Sequence, residues 1–175
     1  MFDDEIMNIK LKSLNPIKVL DYLLRLPFST NQMLFKEKEI IVKNNKPKDI
    51  TINADRLHIE ELSNNLLNNA VKYTTVSGMI LIDAASKKDR VWVSIKDNGQ
   101  GVTKSQIDHI FTEFYKANSS QHDFESNDLG LPICKRIVNR HSGKNYVESE
   151  GLKKDQTFIS PFQMSRILSM NRISI

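Results

Sequence analysis

Apolar residues recur along this chain with two periods, and the switches between them mark out its elements. Ile9 and Leu11 alternate with Lys10 and Lys12, the two-residue period of a half-buried strand. Asn15-Pro16 interrupts that run and is expected to open a helix, because proline suits a first helical turn. Val19, Leu20, Leu23, Leu24 and Phe28, with Met33-Leu34, give that helix its apolar face, and Pro27 is expected to kink it. Residues 39–43 and 49–53 read as strands joined by the polar turn Asn44-Asn45-Lys46-Pro47. A long helix is expected from about Asp55 to Tyr73. Met79 to Ile82 and Arg90 to Lys96 form a hairpin around Ser86-Lys87-Lys88-Asp89. Ser105 to Ile110 is a short helix with Phe111 and Phe114 behind it, and residues 116–128 are polar and loop-like. Leu129 to His141 is helical, and Tyr146 to Ser149 and Thr157 to Ile159 close the chain as strands.

Strands in pairs on both sides of a long helix predict an α/β (α+β) two-layer sandwich: one mixed, largely antiparallel sheet with helices on one face. A length of 175 residues fits one domain with a real core, and 39% hydrophobic with 26% charged residues is a globular balance. The net charge of +4 is mild, and the basic residues are scattered without interleaved aromatics, so no nucleic-acid partner is indicated. Cys134 stands alone and cannot form an internal disulfide, which fits a reducing, cytoplasmic setting. No apolar run reaches the ~18 residues of a membrane span. The phosphate loop G-x-x-x-x-G-K-[ST] is absent as well.

Two clusters carry chemistry. On the long helix, at 100° per residue, Leu62, Tyr73, Leu66, Ile59 and Ala70 share an arc of about 80°. Glu61, Lys72, Asn65, His58 and Asn69 fill the neighbouring arc. Asparagine is a poor helix-interior residue, yet Asn64, Asn65, Asn68 and Asn69 cluster here. Taken alone, the stripe reads equally as a ligand wall or as solvated surface in an Asn-rich chain. The second cluster, Asp97-Asn98-Gly99-Gln100-Gly101, follows Asn69 by 28 residues and ends a strand. A carboxylate there can accept from an exocyclic amine, and Gly99 and Gly101 allow close backbone approach. An ordinary turn has the same composition. The two clusters in this order outweigh either one alone.

Residues 65–74, Asn-Leu-Leu-Asn-Asn-Ala-Val-Lys-Tyr-Thr, resemble the N box of sensor histidine kinases, and DNGQG resembles their first glycine box. Ile110 to Lys116 is similar to the F box, and Leu129 to Val138 to the second glycine box and its helix. The resemblance runs from about residue 8 to 162 in motif order. It implies the Bergerat ATP-binding fold shared with gyrase, Hsp90 and MutL, and ATP with Mg2+ as cofactors. By that resemblance Asn69 is the magnesium ligand, helped by Asn65, and Lys72 meets a phosphate. Tyr73 lines the nucleotide, Asp97 reads the adenine amine, and Gly99 and Gly101 shape the adenine side. Lys116 is a basic lid residue, and Gly130 leaves room for phosphates at a helix start. Val102, Phe111, Tyr115, Leu129, Leu131 and Thr157 complete the implied lining. Asn65, Lys72 and Lys116 are the residues implied in phosphoryl transfer. Gyrase-like ATPases carry a glutamate base where this chain has Asn65, which cannot deprotonate water, so transfer is favoured over hydrolysis.

The chain departs from the pattern at Ser126 and Asp128, where the family has glycines, at Pro132, at Glu113 in place of the F-box proline, and in Lys153 to Gln156. None of His58, His109, His122 or His141 lies in the H-[ED]-x-[RK] context of a phosphoacceptor, and each reads as structural or solvated. The expected organisation is residues 1–14 as linker after a dimerisation helix, 15–162 as the catalytic domain and 163–175 as a tail. The function expected is Mg-ATP binding and γ-phosphoryl transfer to a histidine on a separate dimerisation domain, with a response regulator receiver domain downstream and a monomeric fragment. The parent protein could be membrane-tethered. The alternative is a degenerate module that docks a partner with weak or no nucleotide binding. Nucleotide titration separates the two.

Overall fold

The computed structural model of the chain describes residues 15–18, 32–45, 50–112 and 130–163. Expectations resting on residues 9–11, 19–28, 113–116 and 126–129, and on His122, lie outside them. In chain order the described elements are β1 (Asn15–Lys18), α1 (Gln32–Glu37), β2 (Ile41–Asn45), β3 (Thr51–Ala54), α2 (Arg56–Tyr73), β4 (Met79–Lys87) and β5 (Arg90–Asp97). Then come α3 (Lys104–Ile107), α4 (Gly130–Arg140), β6 (Tyr146–Ser149) and β7 (Gln156–Gln163).

Five strands form the main sheet in the order β2-β4-β5-β7-β6, with only the β2–β4 pair parallel. The mixed, largely antiparallel character expected from the sequence holds there. β1 and β3 form a separate antiparallel pair. Two expectations are corrected by this arrangement. Asn15-Pro16 does not open a helix: both residues lie in β1, with Pro16 opposite Asn53. Proline's fixed φ and missing N–H suit a strand of a two-stranded ribbon as well as a first helical turn. The strands on either side of residues 46–49 are not each other's partners, because β2 joins the main sheet beside β4 while β3 pairs with β1.

Strand β5 sets the layers. Val91, Val93, Ile95 and Asp97 are buried, while Trp92, Ser94 and Lys96 on the other face are half-buried. Ile80, Ile82 and Ala84 of β4 and Phe158, Ser160 and Phe162 of β7 bury the same face. Over it lies α2, with Ile59, Leu62, Ser63, Leu66, Leu67, Ala70 and Val71 buried. That arc is wider than the sequence pattern suggested, taking in Ser63, Leu67 and Val71 as well. Fully burying one such leucine contributes roughly 1.5–3 kcal/mol. Tyr73, assigned to the apolar arc, is only half-buried.

Helix α2 starts at Asp55, whose carboxylate accepts from the N–H groups of Leu57 at 3.0 Å and His58 at 3.5 Å. The β4–β5 hairpin turns through Lys88, at φ 59°, and Asp89, with Lys87 opposite Arg90. Helix α3 is shorter than expected but begins with a reciprocal Thr103–Gln106 capping box.

Candidate nucleotide site

Three pieces meet at one end of the sandwich: the last turns of α2, the 97–101 turn after β5, and the first turn of α4. The alternation that turns Val91, Val93 and Ile95 toward the helices does the same to Asp97, which is fully buried at the strand end. Its Oδ1 accepts from the Gly99 N–H at 3.0 Å. Its Oδ2 is buried with no hydrogen-bond partner among the described residues. Burial pushes the carboxyl pKa up from 3.8 to about 6. The Gln156 amide, opposite in register, and the Gly99 N–H pull it back, while the nearby Asp155 charge raises it further; neither donor reaches Oδ2 with hydrogen-bond geometry. An unpaired buried carboxylate oxygen is costly unless a donor arrives to meet it.

The turn is fastened on two sides. A Cβ at Gly99 would collide with the carbonyl of Tyr73, and Gln100 donates its N–H to that same carbonyl at 3.2 Å. Gly101 sits at φ +64°, and a Cβ there would strike the carbonyls of Gly151 and Lys154. Lys153 donates its N–H to the Gln100 carbonyl at 2.7 Å. The Ser149 hydroxyl receives the N–H of Val102, which is buried. Both glycines singled out by sequence are required by close backbone approach.

Along α2 the stripe of His58, Asn65, Asn69, Lys72 and Tyr73 is half-buried, bordering the core rather than facing open water. Lys72 lays its ammonium 5.2 Å from the centre of the Tyr73 ring. Asn65 lies against the start of α4: its Oδ1 is 3.3 Å from where a Cβ of Gly130 would sit. Glycine there lets the helix N-terminus, with its free N–H groups, approach the asparagine stripe. Leu131 is half-buried in the same turn.

Two lining residues named from sequence fall elsewhere. Thr157 is out of phase with the site: it pairs with Lys96 on the opposite face of the sheet, and Gln156 stands beside Asp97 instead. The period of Gln156, Phe158, Ser160 and Phe162 carries that information, one residue away from the sequence assignment. Phe111 sets its ring edge against Phe158, with centroids 6.4 Å apart, and so packs onto the core. Tyr115, Lys116 and Leu129 lie outside the described residues.

Among the described residues no group of three or more His, Cys, Asp or Glu side chains could hold a metal. A hard cation here would rest on the amide oxygens of Asn65 and Asn69 together with oxygens brought by a ligand, which fits magnesium on a nucleotide better than a protein-only cage. His141 Nε2 accepts from the Asp55 N–H at 3.0 Å and its Nδ1 meets the Ile137 carbonyl at 2.8 Å, fixing a neutral ring with the proton on Nδ1. Its pKa is lowered, first by burial.

Comparison with known proteins agrees with this geometry. Residues 54–164 match the family described as histidine kinase-, DNA gyrase B- and HSP90-like ATPase. The chain is 35% identical over 119 residues to the heme sensor protein HssS of Staphylococcus saprophyticus, covering 68% of this chain and 25% of that protein. It is 34% identical over 118 residues to the adaptive-response sensory kinase SasA of Rippkaea orientalis, covering 66% of this chain and 30% of the relative. The chain thus spans about a quarter to a third of the length of these relatives. Among solved structures, full-length ShkA in complex with AMPPNP superposes with a TM-score of 0.75 at 26% identity, over 90% of this chain and 32% of that one. The catalytic domain of histidine kinase ThkA superposes with a TM-score of 0.73 at 22% identity, over 86% and 95% of the two chains, a likeness of fold. The order of the boxes, the buried carboxylate at the end of β5 and the matched family together place the chain in the histidine kinase-, DNA gyrase B- and HSP90-like ATPase family, among the ATP-binding domains of sensor histidine kinases.

Proposed function

We propose that this chain is the catalytic part of a two-component sensor histidine kinase, and that it holds Mg-ATP for transfer of the γ-phosphoryl to a histidine on a dimerisation domain. The observation that carries the reading is the buried, unpartnered Oδ2 of Asp97 beside a turn pressed onto Tyr73. An exocyclic amine is the donor that this oxygen lacks, and adenine offers one where guanine has a carbonyl. Tyr73 and Val102 line the base, and Gly99 and Gly101 let it approach the backbone.

Asn69, with Asn65 beside it, would hold magnesium, which when bound neutralises phosphate charge. Lys72 supplies a cation to the phosphates, and the α4 N-terminus past Gly130 and Leu131 supplies N–H donors. Lys116 would be the basic residue that meets the triphosphate, and Tyr115 would belong to the nucleotide's lining. No carboxylate base stands at position 65, so the nucleophile must come ready-made from a partner, and the chain's own contribution is positioning and charge stabilisation. Residues 15–162 form the ATP-binding unit in this reading, with 1–14 as linker and 163–175 as tail. The phosphorylated partner would then serve a response regulator receiver domain; ThkA, a structural relative, is known in complex with the response regulator protein TrrA. Among the described residues no helix is long and apolar enough to cross a membrane, and the domain would work on the cytoplasmic side of its parent.

Two measurements test this. Calorimetry should find ATP bound more tightly than GTP; equal affinities would remove the basis for the Asp97 assignment. Incubation with ATP, magnesium and the matching dimerisation domain should place acid-labile, base-stable phosphate on that partner. Stable labelling of this chain at His58 or His141 would overturn the division of roles.

A further inference from the structure

We propose that Lys38, outside every nucleotide-binding motif, is a positioning residue for the site: its ammonium fixes the end of α2 on which the 97–101 turn closes. This rests on the nucleotide reading above. The starting point is the fate of the carbonyls at the end of α2, since a helix leaves its last four without intrahelical partners. The usual solution is a glycine in left-handed conformation just past the end. Here Thr74 follows Tyr73 at φ −69° and ψ 137°, so the chain leaves extended and that cap is not formed.

Each carbonyl nevertheless has a donor. The Ala70 carbonyl receives both the N–H and the hydroxyl of Thr74, at 2.9 and 2.7 Å. Lys38 Nζ donates to the carbonyls of Val71, Lys72 and Thr74 at 2.9, 2.8 and 3.0 Å. The carbonyl of Tyr73, between them, is left for the Gln100 N–H of the adenine turn. One ammonium has three donors, and all of them are used on the carbonyls flanking the one that the turn requires. The positive charge also complements the negative end of the α2 dipole. Without Lys38, the freed carbonyls would compete for Gln100 or turn toward water, and the wall against which Gly99 packs would move.

The lysine is itself held. Its N–H donates to Leu34 at 3.0 Å, its carbonyl accepts from Ser77 at 2.7 Å, and Glu39 next to it adopts φ 52° and accepts from the Ser77 hydroxyl. Lys38 therefore joins the α1–β2 corner, the end of α2 and the loop entering β4 at one point. Partial burial lowers its pKa from 10.5, the cost of seating a cation there.

The test uses the whole chain with ADP as probe, compared across Lys38→Met and Val91→Ala, a core change six residues down β5 from Asp97. Lys38→Met should weaken ADP about tenfold, a modest share of what small misplacements of a binding wall can cost. Amide exchange at Gln100 should accelerate by a similar factor, about tenfold. Val91→Ala should lower the thermal midpoint while leaving ADP affinity and Gln100 protection as they were. If Lys38→Met and Val91→Ala lose ADP affinity equally at matched stability, Lys38 is only a fold-stabilising cap. Retained affinity and retained Gln100 protection in Lys38→Met would also refute the proposal. Should Lys38→Met not fold, Lys38→Gln, with shorter reach and no charge, is read by the same criteria. If the unmodified chain takes up no ADP, the nucleotide reading fails, and Gln100 exchange alone decides the role of Lys38.

Discussion

The two ends of the candidate site are built on opposite principles. At the end proposed for adenine, Asp97 is a sheet residue, fully buried and fixed in register opposite Gln156, with its turn clamped to Tyr73 and to the 151–154 loop. At the end proposed for the phosphates, Asn65, Asn69 and Lys72 sit half-buried on a helix border. Recognition of a flat base by one hydrogen bond needs a dry, rigid wall, because only there is a missing partner costly enough to discriminate. A triphosphate and its cation carry charge that must exchange between water and protein, and a partly solvated wall suits them. The departures from the family pattern at Ser126 and Asp128 lie outside the described residues, and the turn after β5 keeps its Asp97, Gly99 and Gly101.

The largest effect should come from making the adenine wall thicker. Gly99→Ala places a methyl group in the Tyr73 carbonyl, and overpacking of this kind costs about 1–3 kcal/mol of stability. Since the methyl also pushes the turn off α2, calorimetry should find ADP binding lost. Binding near the level of the parent chain would mean that the turn is not the adenine wall.

Next in size is Asp97→Asn, which should weaken ATP by ~1.5–3 kcal/mol and erase the preference over GTP. The same change should stabilise the ligand-free fold. The folded pKa of Asp97 is raised, so the stability tied to it is complete below 3.8 and is lost as pH rises through about 6. At neutral pH the ionised group then costs roughly 2–3 kcal/mol, which asparagine removes. Chemical denaturation at pH 7.5 should find the variant more stable and the weaker binder; a variant less stable than its parent would contradict the buried-charge account.

A smaller and more selective loss is expected at the phosphate end. Asn69→Ala should weaken ATP about tenfold in the presence of magnesium, ~1.4 kcal/mol, and leave magnesium-free ADP almost unchanged. Equal losses for both ligands would assign Asn69 to the base or to the fold.

The smallest effect is a slope. His141 has its pKa lowered from 6.5, so its contribution is present above that value and is lost as pH falls. Protonating Nε2 would set a donor against the Asp55 N–H that caps the join between β3 and α2. This trend opposes that of Asp97, and Asp97→Asn should expose it as a falling thermal midpoint from pH 7.5 to 5.5. A flat profile in that variant would show that His141 stays neutral without cost.

What the sequence determined by itself was local and periodic. The reach of α2 and the β4–β5 hairpin follow from 3.6- and 2-residue periods and from residues with few conformational alternatives, while the order of the boxes was legible through the family resemblance. Gly99 and Gly101 were legible because a tight turn after a strand narrows the choice of residue. Tertiary structure decided the rest. Asn15-Pro16 satisfies a helix start and a ribbon strand equally, and only pairing with Asn53 and Ala54 chose the strand. Thr157 and Gln156 are adjacent in sequence, but the sheet register sends them to opposite faces, and β5 alone determines which meets Asp97. Lys38 reaches its carbonyls across 33–36 residues of chain, a separation at which no local pattern announces a partner. Periodicity records which face a residue takes, while long-range pairing records what it meets there, and the second is fixed only when the layers close.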